Sequence, residues 1–267
     1  MKILFAGLVL TATVFAIPVW LPVGSATAAQ TWSYTALGDS QAFGALALPF
    51  HGYTFQYRKA LQNDTGNTVL LYNLGVPGWT SSDLLRGLRS SFVIRPAVRF
   101  SQILTLNVGG NDLNPARSKY KARTCGGSDN QDCLRSAVLQ FELNWDGILG
   151  ELRQLRNLGH TIVRTMDIYN PYVTEDQASN TWIDPSPDPN DFQVMKFHLE
   201  QVNAYIAQTA AAEGILCAPV YATFNGPNGD EDPKTKGYIA FDNFHPSDFG
   251  HTVIEGLLRN LGYSPLL

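Results

Sequence analysis

The chain of 267 residues is 45% hydrophobic, 11% aromatic and 16% charged, with a formal net charge of −4 at pH 7. These values suit one sizeable domain with a single core and exclude a disordered or fibrous chain. Lys and Arg are scattered, so the basic stripe that a nucleic-acid partner requires is missing.

The N-terminus reads as an export signal. Lys2 supplies a short positive region, residues 3–23 carry no charge, and Ala26-Thr27-Ala28 offers the small residues a signal peptidase needs. An uncleaved anchor is the alternative, since the apolar run is long enough to span a bilayer if Pro18 and Pro22 are tolerated. The small-residue site and the polar Gln30-Thr31 that follow favour cleavage, giving a signal over residues 1–29, a mature domain over residues 30–267 and a secreted protein.

The mature part alternates strand and helix patterns. A short strand ends at residues 35–37, residues 53–62 are predicted helical, and residues 69–74 form a β-rich run ending at Gly75. Residues 82–89 are predicted helical, and residues 103–108 are a clear apolar run that ends at Gly109-Gly110. A loop rich in Gly, Ser, Asn and Asp then carries Cys125 and Cys133. A local disulfide between these two is expected, in keeping with export. After it, Leu134, Val138, Phe141, Trp145, Ile148, Leu149, Leu152 and Leu155 recur at helical spacing, and Gly159 ends the helix. Residues 161–166 are strand-like, residues 192–212 form an amphipathic helix, and residues 215–220 form another strand, in which Cys217 is expected to be a buried free thiol. Ser247 caps a last helix that runs to about Leu261. Strands alternating with helices imply a parallel sheet covered on both faces. Ligands of such sheets gather at the carboxyl ends of the strands, where the polar motifs of this chain fall.

Four motifs carry chemistry. In Gly38-Asp39-Ser40, a serine follows the first strand at the start of a helical turn. Alone it is most simply a helix cap, because a hydroxyl is a poor nucleophile until a base takes its proton. Ala42 closes the Gly-x-Ser-x-Gly pattern wrongly, which argues against the common α/β-hydrolase elbow. In Asp242-Asn243-Phe244-His245, an Asp three residues before a His can accept the Nδ1 proton, leaving Nε2 as a base. The pair Asp248 and His251 has the same spacing but falls in the last helix and is expected to be structural. Donors for an oxyanion are available in Asn73-Leu74-Gly75, through the Gly75 N–H, and in Gly109-Gly110-Asn111-Asp112, through the Asn111 side chain. Each of these is otherwise ordinary turn chemistry.

Taken in order, these blocks resemble the SGNH hydrolase family, also called GDSL esterases and lipases, which is named for the residues standing here as Ser40, Gly75, Asn111 and His245. Gln41 departs from the Leu of the family's name. The resemblance covers the chain from about Tyr34 to the last helix. It implies a three-layer flavodoxin-like α/β sandwich with about five parallel strands. It implies Ser40 as nucleophile, His245 as base, Asp242 as its orienting carboxylate, and an oxyanion hole formed by the Ser40 N–H, the Gly75 N–H and Asn111. The expected activity is hydrolysis of carboxylic esters. An acyltransferase or carbohydrate deacetylase of the same fold, and a secreted binding domain without turnover, are the alternatives. No metal and no cofactor is expected, since no Cys/His spacing resembles a zinc site. The expected partners are a small-molecule or lipid ester and a transient lipid-surface contact, with the chain a monomer.

The remaining features admit plainer readings. His51 lies in a loop past Ser40, His160 follows a helix-ending Gly, and His198 sits in a helix; all three are expected at the surface or in packing. The acidic stretch over residues 228–232 lacks the spaced ligands of a calcium loop and is expected to be a solvated turn. Asn63-Asp64-Thr65 matches a glycosylation sequon, meaningful only in a eukaryotic secretory host. Phe43, Phe50, Tyr53 and Trp79 either line an acyl pocket or belong to the core. The cysteine loop is a candidate rim over the site.

Overall fold

The computed structural model describes residues 29–182 and 190–266. The export segment, apart from Ala29, lies outside the described residues. Five strands form one parallel sheet: β1 (Thr31–Gly38), β2 (Thr68–Gly75), β3 (Ile103–Asn107), β4 (Ile162–Met166) and β5 (Leu216–Ala218), in the order β2-β1-β3-β4-β5. The helices are α1 (Ser40–Phe43), α2 (Tyr53–Thr65), α3 (Ser81–Ser90), α4 (Ile94–Phe100), α5 (Gly110–Lys121), α6 (Asp132–Leu155), α7 (Val173–Gln177), α8 (Asp191–Ala212), α9 (Val220–Asn225) and α10 (Asp248–Asn260).

Alternation along the strands divides the core into two layers. Tyr34 and Ala36 of β1 face one side, where Tyr57, Leu61, Ile254 and Leu258 of α2 and α10 bury them. Leu37 faces the other side with Leu104 and Leu106, against Leu84, Trp145 and Ile206 of α3, α6 and α8. The apolar stripe read along α6 is buried throughout. Each large side chain so buried contributes roughly 1.5–3 kcal/mol.

Three differences from the sequence reading have local causes. β5 stops at Ala218 rather than residue 220, because Pro219 has no N–H for the ladder and instead precedes α9. Helix α5 forms over a stretch read as a turn, in spite of Pro115. α4 was not anticipated; its Pro96 falls in the first turn, where a missing N–H costs little.

The chain leaves β1 for β2 on one side, then crosses to β3 on the other. The crevice at the carboxyl ends of β1 and β3 is therefore the point where the strand order reverses, the usual ligand position in an open α/β sheet.

Candidate active site

Ser40 is the first residue of α1, directly after β1, and is buried. Asp39 caps the helix by accepting the Gln41 N–H at 2.9 Å. Asn107, at the end of β3, donates through Nδ2 to the same Asp39 oxygen at 2.9 Å, and the Tyr53 hydroxyl donates to Asn107 Oδ1 at 2.9 Å. All three side chains are buried, so the chain of bonds fixes the turn that presents Ser40. Burial pushes the Asp39 carboxyl up to about 6, although the Gln41 N–H and Asn107 pull it partly back.

The loop before α10 delivers the other two groups. A bridge between Ile239 and Pro246 closes its base. Asp242 Oδ1 accepts the backbone N–H groups of Phe244 and His245, each at 3.0 Å. Asp242 Oδ2 stands 2.5 Å from His245 Nδ1, and His245 Nε2 stands 2.9 Å from Ser40 Oγ. With the Nδ1 proton held by the carboxylate, Nε2 carries the lone pair that accepts the Ser40 hydroxyl. Burial works to raise the Asp242 carboxyl, but the bonds from His245 and from the Phe244 and His245 N–H groups outweigh it and hold the group below its ordinary value. The Tyr169 hydroxyl donates to the Phe244 carbonyl at 2.7 Å, tying this loop to the segment after β4.

Gly75 and Asn111 flank the crevice. A Cβ at Gly75 would stand 2.4 Å from the Phe43 N and 2.7 Å from the Ala42 Cβ, so only glycine lets β2 end this close to α1. The Gly75 N–H donates to Asn73 Oδ1 at 3.1 Å, while Asn73 Nδ2 donates to the Ala42 carbonyl at 2.8 Å. Asn111 donates one amide hydrogen to the Trp79 carbonyl at 2.9 Å, which orients the group and leaves its second N–H for another acceptor. Asp112 accepts the N–H and hydroxyl of Ser81 and so joins α5 to α3.

A narrow cavity of about 70 Å³ is lined by Gln41 and Phe244, the neighbours of Ser40 and His245. Its apolar wall includes Leu113, Leu134, Ile168 and Met195. Arg117 sits over the Tyr172 ring at 3.8 Å and fixes this ring, which also lines the cavity. The four aromatic residues considered from sequence do not form this wall. Tyr53 belongs to the core, Trp79 packs against the α3/α6 layer, and Phe43 and Phe50 are exposed.

The other sequence candidates fall as follows. Cys125 and Cys133 form a disulfide, and Leu134 beside it reaches the cavity wall. Cys217 is a free thiol, only half-buried; burial pushes it up to about 12. His251 is buried, accepts the Tyr53 N–H at 3.3 Å through Nδ1, and is lowered by burial to about 4. His51 is exposed and pairs with Asp248 at 3.0 Å. His160 is exposed in a 3₁₀ turn, and His198 is buried in α8. In the acidic stretch, Asp232 accepts the Thr174 hydroxyl and Glu231 pairs with Lys236. Among the described residues no group of three or more His, Cys, Asp or Glu side chains converges as metal ligands. Sequence reasoning missed Asn107, whose bonds to Tyr53 and Asp39 exist only once β1, β3 and α2 come together, and Tyr169, which carries no motif.

Residues 36–253 match the model of the GDSL-like lipase/acylhydrolase family. The chain belongs to this family. Membership places it among ester-hydrolysing enzymes. It is 26% identical over 240 residues to a spore germination lipase, LipC, from Bacillus licheniformis, covering 89% of this chain and 99% of that protein. Among solved structures it is similar to a lipase from a goat rumen metagenome, with 25% identity, a TM-score of 0.70, and coverage of 88% of this chain and 100% of that one. An acetyl-xylooligosaccharide esterase from Geobacillus shares the fold at 18% identity, with a TM-score of 0.58 over 86% of this chain and 94% of that one.

Proposed function

We propose that this GDSL hydrolase cleaves carboxylic esters through an acyl-enzyme on Ser40. The observation that carries the reading is the unbroken line from Ser40 Oγ to His245 Nε2 and from His245 Nδ1 to Asp242. His245 takes the hydroxyl proton as Ser40 Oγ attacks the ester carbonyl. Asp242 holds the ring in the required tautomer and stabilises the imidazolium. The tetrahedral oxyanion lies against the Ser40 N–H, the Gly75 N–H and the second N–H of Asn111. Ser40 begins a helix, so its N–H has no intrahelical acceptor. The Gly75 N–H is already shared with Asn73, which makes its contribution the smallest of the three. His245 then gives its proton to the leaving alkoxide, and water repeats the sequence to release the acid. The narrow apolar cavity beside Gln41 suits the acyl portion of the ester. Residues 1–29 support action outside the cell after removal of the leader.

The test is hydrolysis of p-nitrophenyl esters of graded acyl length by the wild type and by Ser40→Ala. Turnover is expected to fall by about four orders of magnitude or more in the variant. A Ser40→Ala protein that kept its turnover would end the serine mechanism. Transfer of the acyl group to an added alcohol in preference to water would move the reading to an acyltransferase.

A further inference from the structure

The segment that follows the nucleophile is built in an unusual way for a water-facing loop. Residues 43–50 read Phe-Gly-Ala-Leu-Ala-Leu-Pro-Phe, eight residues without one polar side chain. They do not fold into the core. Phe43, Leu46, Leu48 and Phe50 are 54, 44, 61 and 74% exposed. Leu46 and Phe50 also have φ of 63° and 68°, the left-handed region that bulky side chains avoid. Strain and exposure thus coincide in the same side chains.

The loop is nonetheless held in one shape. Its ends meet, since a Cβ on Gly52 would stand 3.0 Å from the Gly44 Cα. The Leu48 N–H donates to Asp248 Oδ1 at 2.8 Å, and Asp248 Oδ2 pairs with His51. Phe50 meets Phe55 edge to face with ring centres 5.5 Å apart. This is a compact Ω-type loop fastened to the start of α10. Phe249, beside Asp248, and Phe241, beside Asp242, are exposed as well. Apolar side chains therefore stand on the two segments that carry Ser40 and the Asp242/His245 pair.

We propose that the loop from Gly44 to Gly52 is a docking element that inserts Leu46, Leu48 and Phe50 into an electrically neutral phospholipid surface. This rests on the ester-hydrolase reading, in which the surface supplies the ester to the adjacent crevice. The occupant is argued from charge and shape. The stretch over residues 43–50 carries no charge and matches hydrocarbon below zwitterionic headgroups, while His51 at the foot of the loop is paired with Asp248. A single loop held at both ends is a narrow projection, whereas a stable protein partner needs about 800 Å² per side. A second exposed apolar group, Phe92, Val93 and Phe100, lies at the corner between α3 and α4, where Phe92 and Phe100 stand with Arg89, Arg95 and Arg99. It serves as an internal control.

The experiment is flotation with phosphatidylcholine vesicles, using the Ser40→Ala protein so that lipid is not consumed. The double variant Leu48→Ser/Phe50→Ser is expected to lose binding by about tenfold or more, given the apolar area removed, while Phe92→Ser binds as before. With Ser40 intact, the double variant should keep its kcat/KM on p-nitrophenyl acetate within about twofold, which shows that it folds. A Leu48→Trp protein should show a blue-shifted emission on vesicles. Equal vesicle binding by the parent and the double variant, or no binding by the parent, overturns the proposal. So does a parent that is dimeric by light scattering and becomes monomeric in the double variant. Loop-dependent binding by a protein inactive on soluble esters would sustain the docking element and overturn the hydrolase reading instead.

Discussion

Asp39 and Asn111 show how differently two polar residues of one crevice are governed. Burial raises the Asp39 carboxyl to about 6. Its folded-state pKa lies above the unfolded value, so its stabilising contribution is complete below the ordinary carboxylate range and is lost as pH rises through about 6. Asp39→Asn keeps an acceptor for the Gln41 N–H without the charge. The variant is expected to gain stability relative to the wild type between pH 4 and pH 8, on the order of 2 kcal/mol, read from urea midpoints at both values. Asn111→Ala removes a side-chain donor. Its kcat should fall about a hundredfold or more with the circular dichroism unchanged; wild-type turnover would exclude Asn111 from the oxyanion site. The Asp242/His245 relation was legible in sequence because both groups lie three residues apart in one loop. The bonds from Tyr53 to Asn107 to Asp39 were not, because the residues are far apart in the chain and each is unremarkable on its own.

At the scale of elements, the site depends on how closely β2 approaches α1. Gly75→Ala would drive a Cβ into the Phe43 N and the Ala42 Cβ. A loss of about 1–3 kcal/mol is expected from the overpacking, together with a fall in kcat as the Ser40 turn is displaced; thermal unfolding and p-nitrophenyl acetate turnover check the two effects. The Cys125–Cys133 bridge closes a short loop whose exit, at Leu134, forms part of the cavity wall. Replacing both cysteines with Ala should cost roughly 2–3 kcal/mol by the chain-entropy account, measured by denaturant unfolding. The elements best read from sequence were those with strong periodicity, α6 above all, where a buried stripe recurs at every turn. Helix α5 was missed because its opening residues, Gly-Gly-Asn-Asp, favour turns in isolation. Tertiary contact decides there: Asp112 is bonded to Ser81 and the Asn111 amide to Trp79.

For the whole molecule, a parallel sheet was implied by the alternation of strands and helices, and the structure has one parallel sheet of five strands; the strand order, and with it the reversal point, is set by the structure alone. The cavity wall was not implied, because Leu113, Leu134, Ile168 and Met195 come from four separate segments. Acid stability is a property of the whole fold and has an identifiable contributor. Burial lowers His251 from its ordinary 6.5 to about 4. Its folded-state pKa is depressed, so its contribution is present above about 6.5 and is lost as pH falls through about 4. The wild type should lose on the order of 3 kcal/mol through this group across that window. His251→Asn, which keeps an acceptor for the Tyr53 N–H, should show a flatter acid limb in urea midpoints taken from pH 7 to pH 4.

The contact between Ser40 and His245 spans 205 residues. Ser40 is therefore synthesised well before His245. On the mechanism proposed above, an N-terminal fragment cut anywhere before the last loop carries Ser40 without His245 beside it, and is expected to be inert toward esters. On that mechanism, activity begins only when the first strand-turn and the last loop meet.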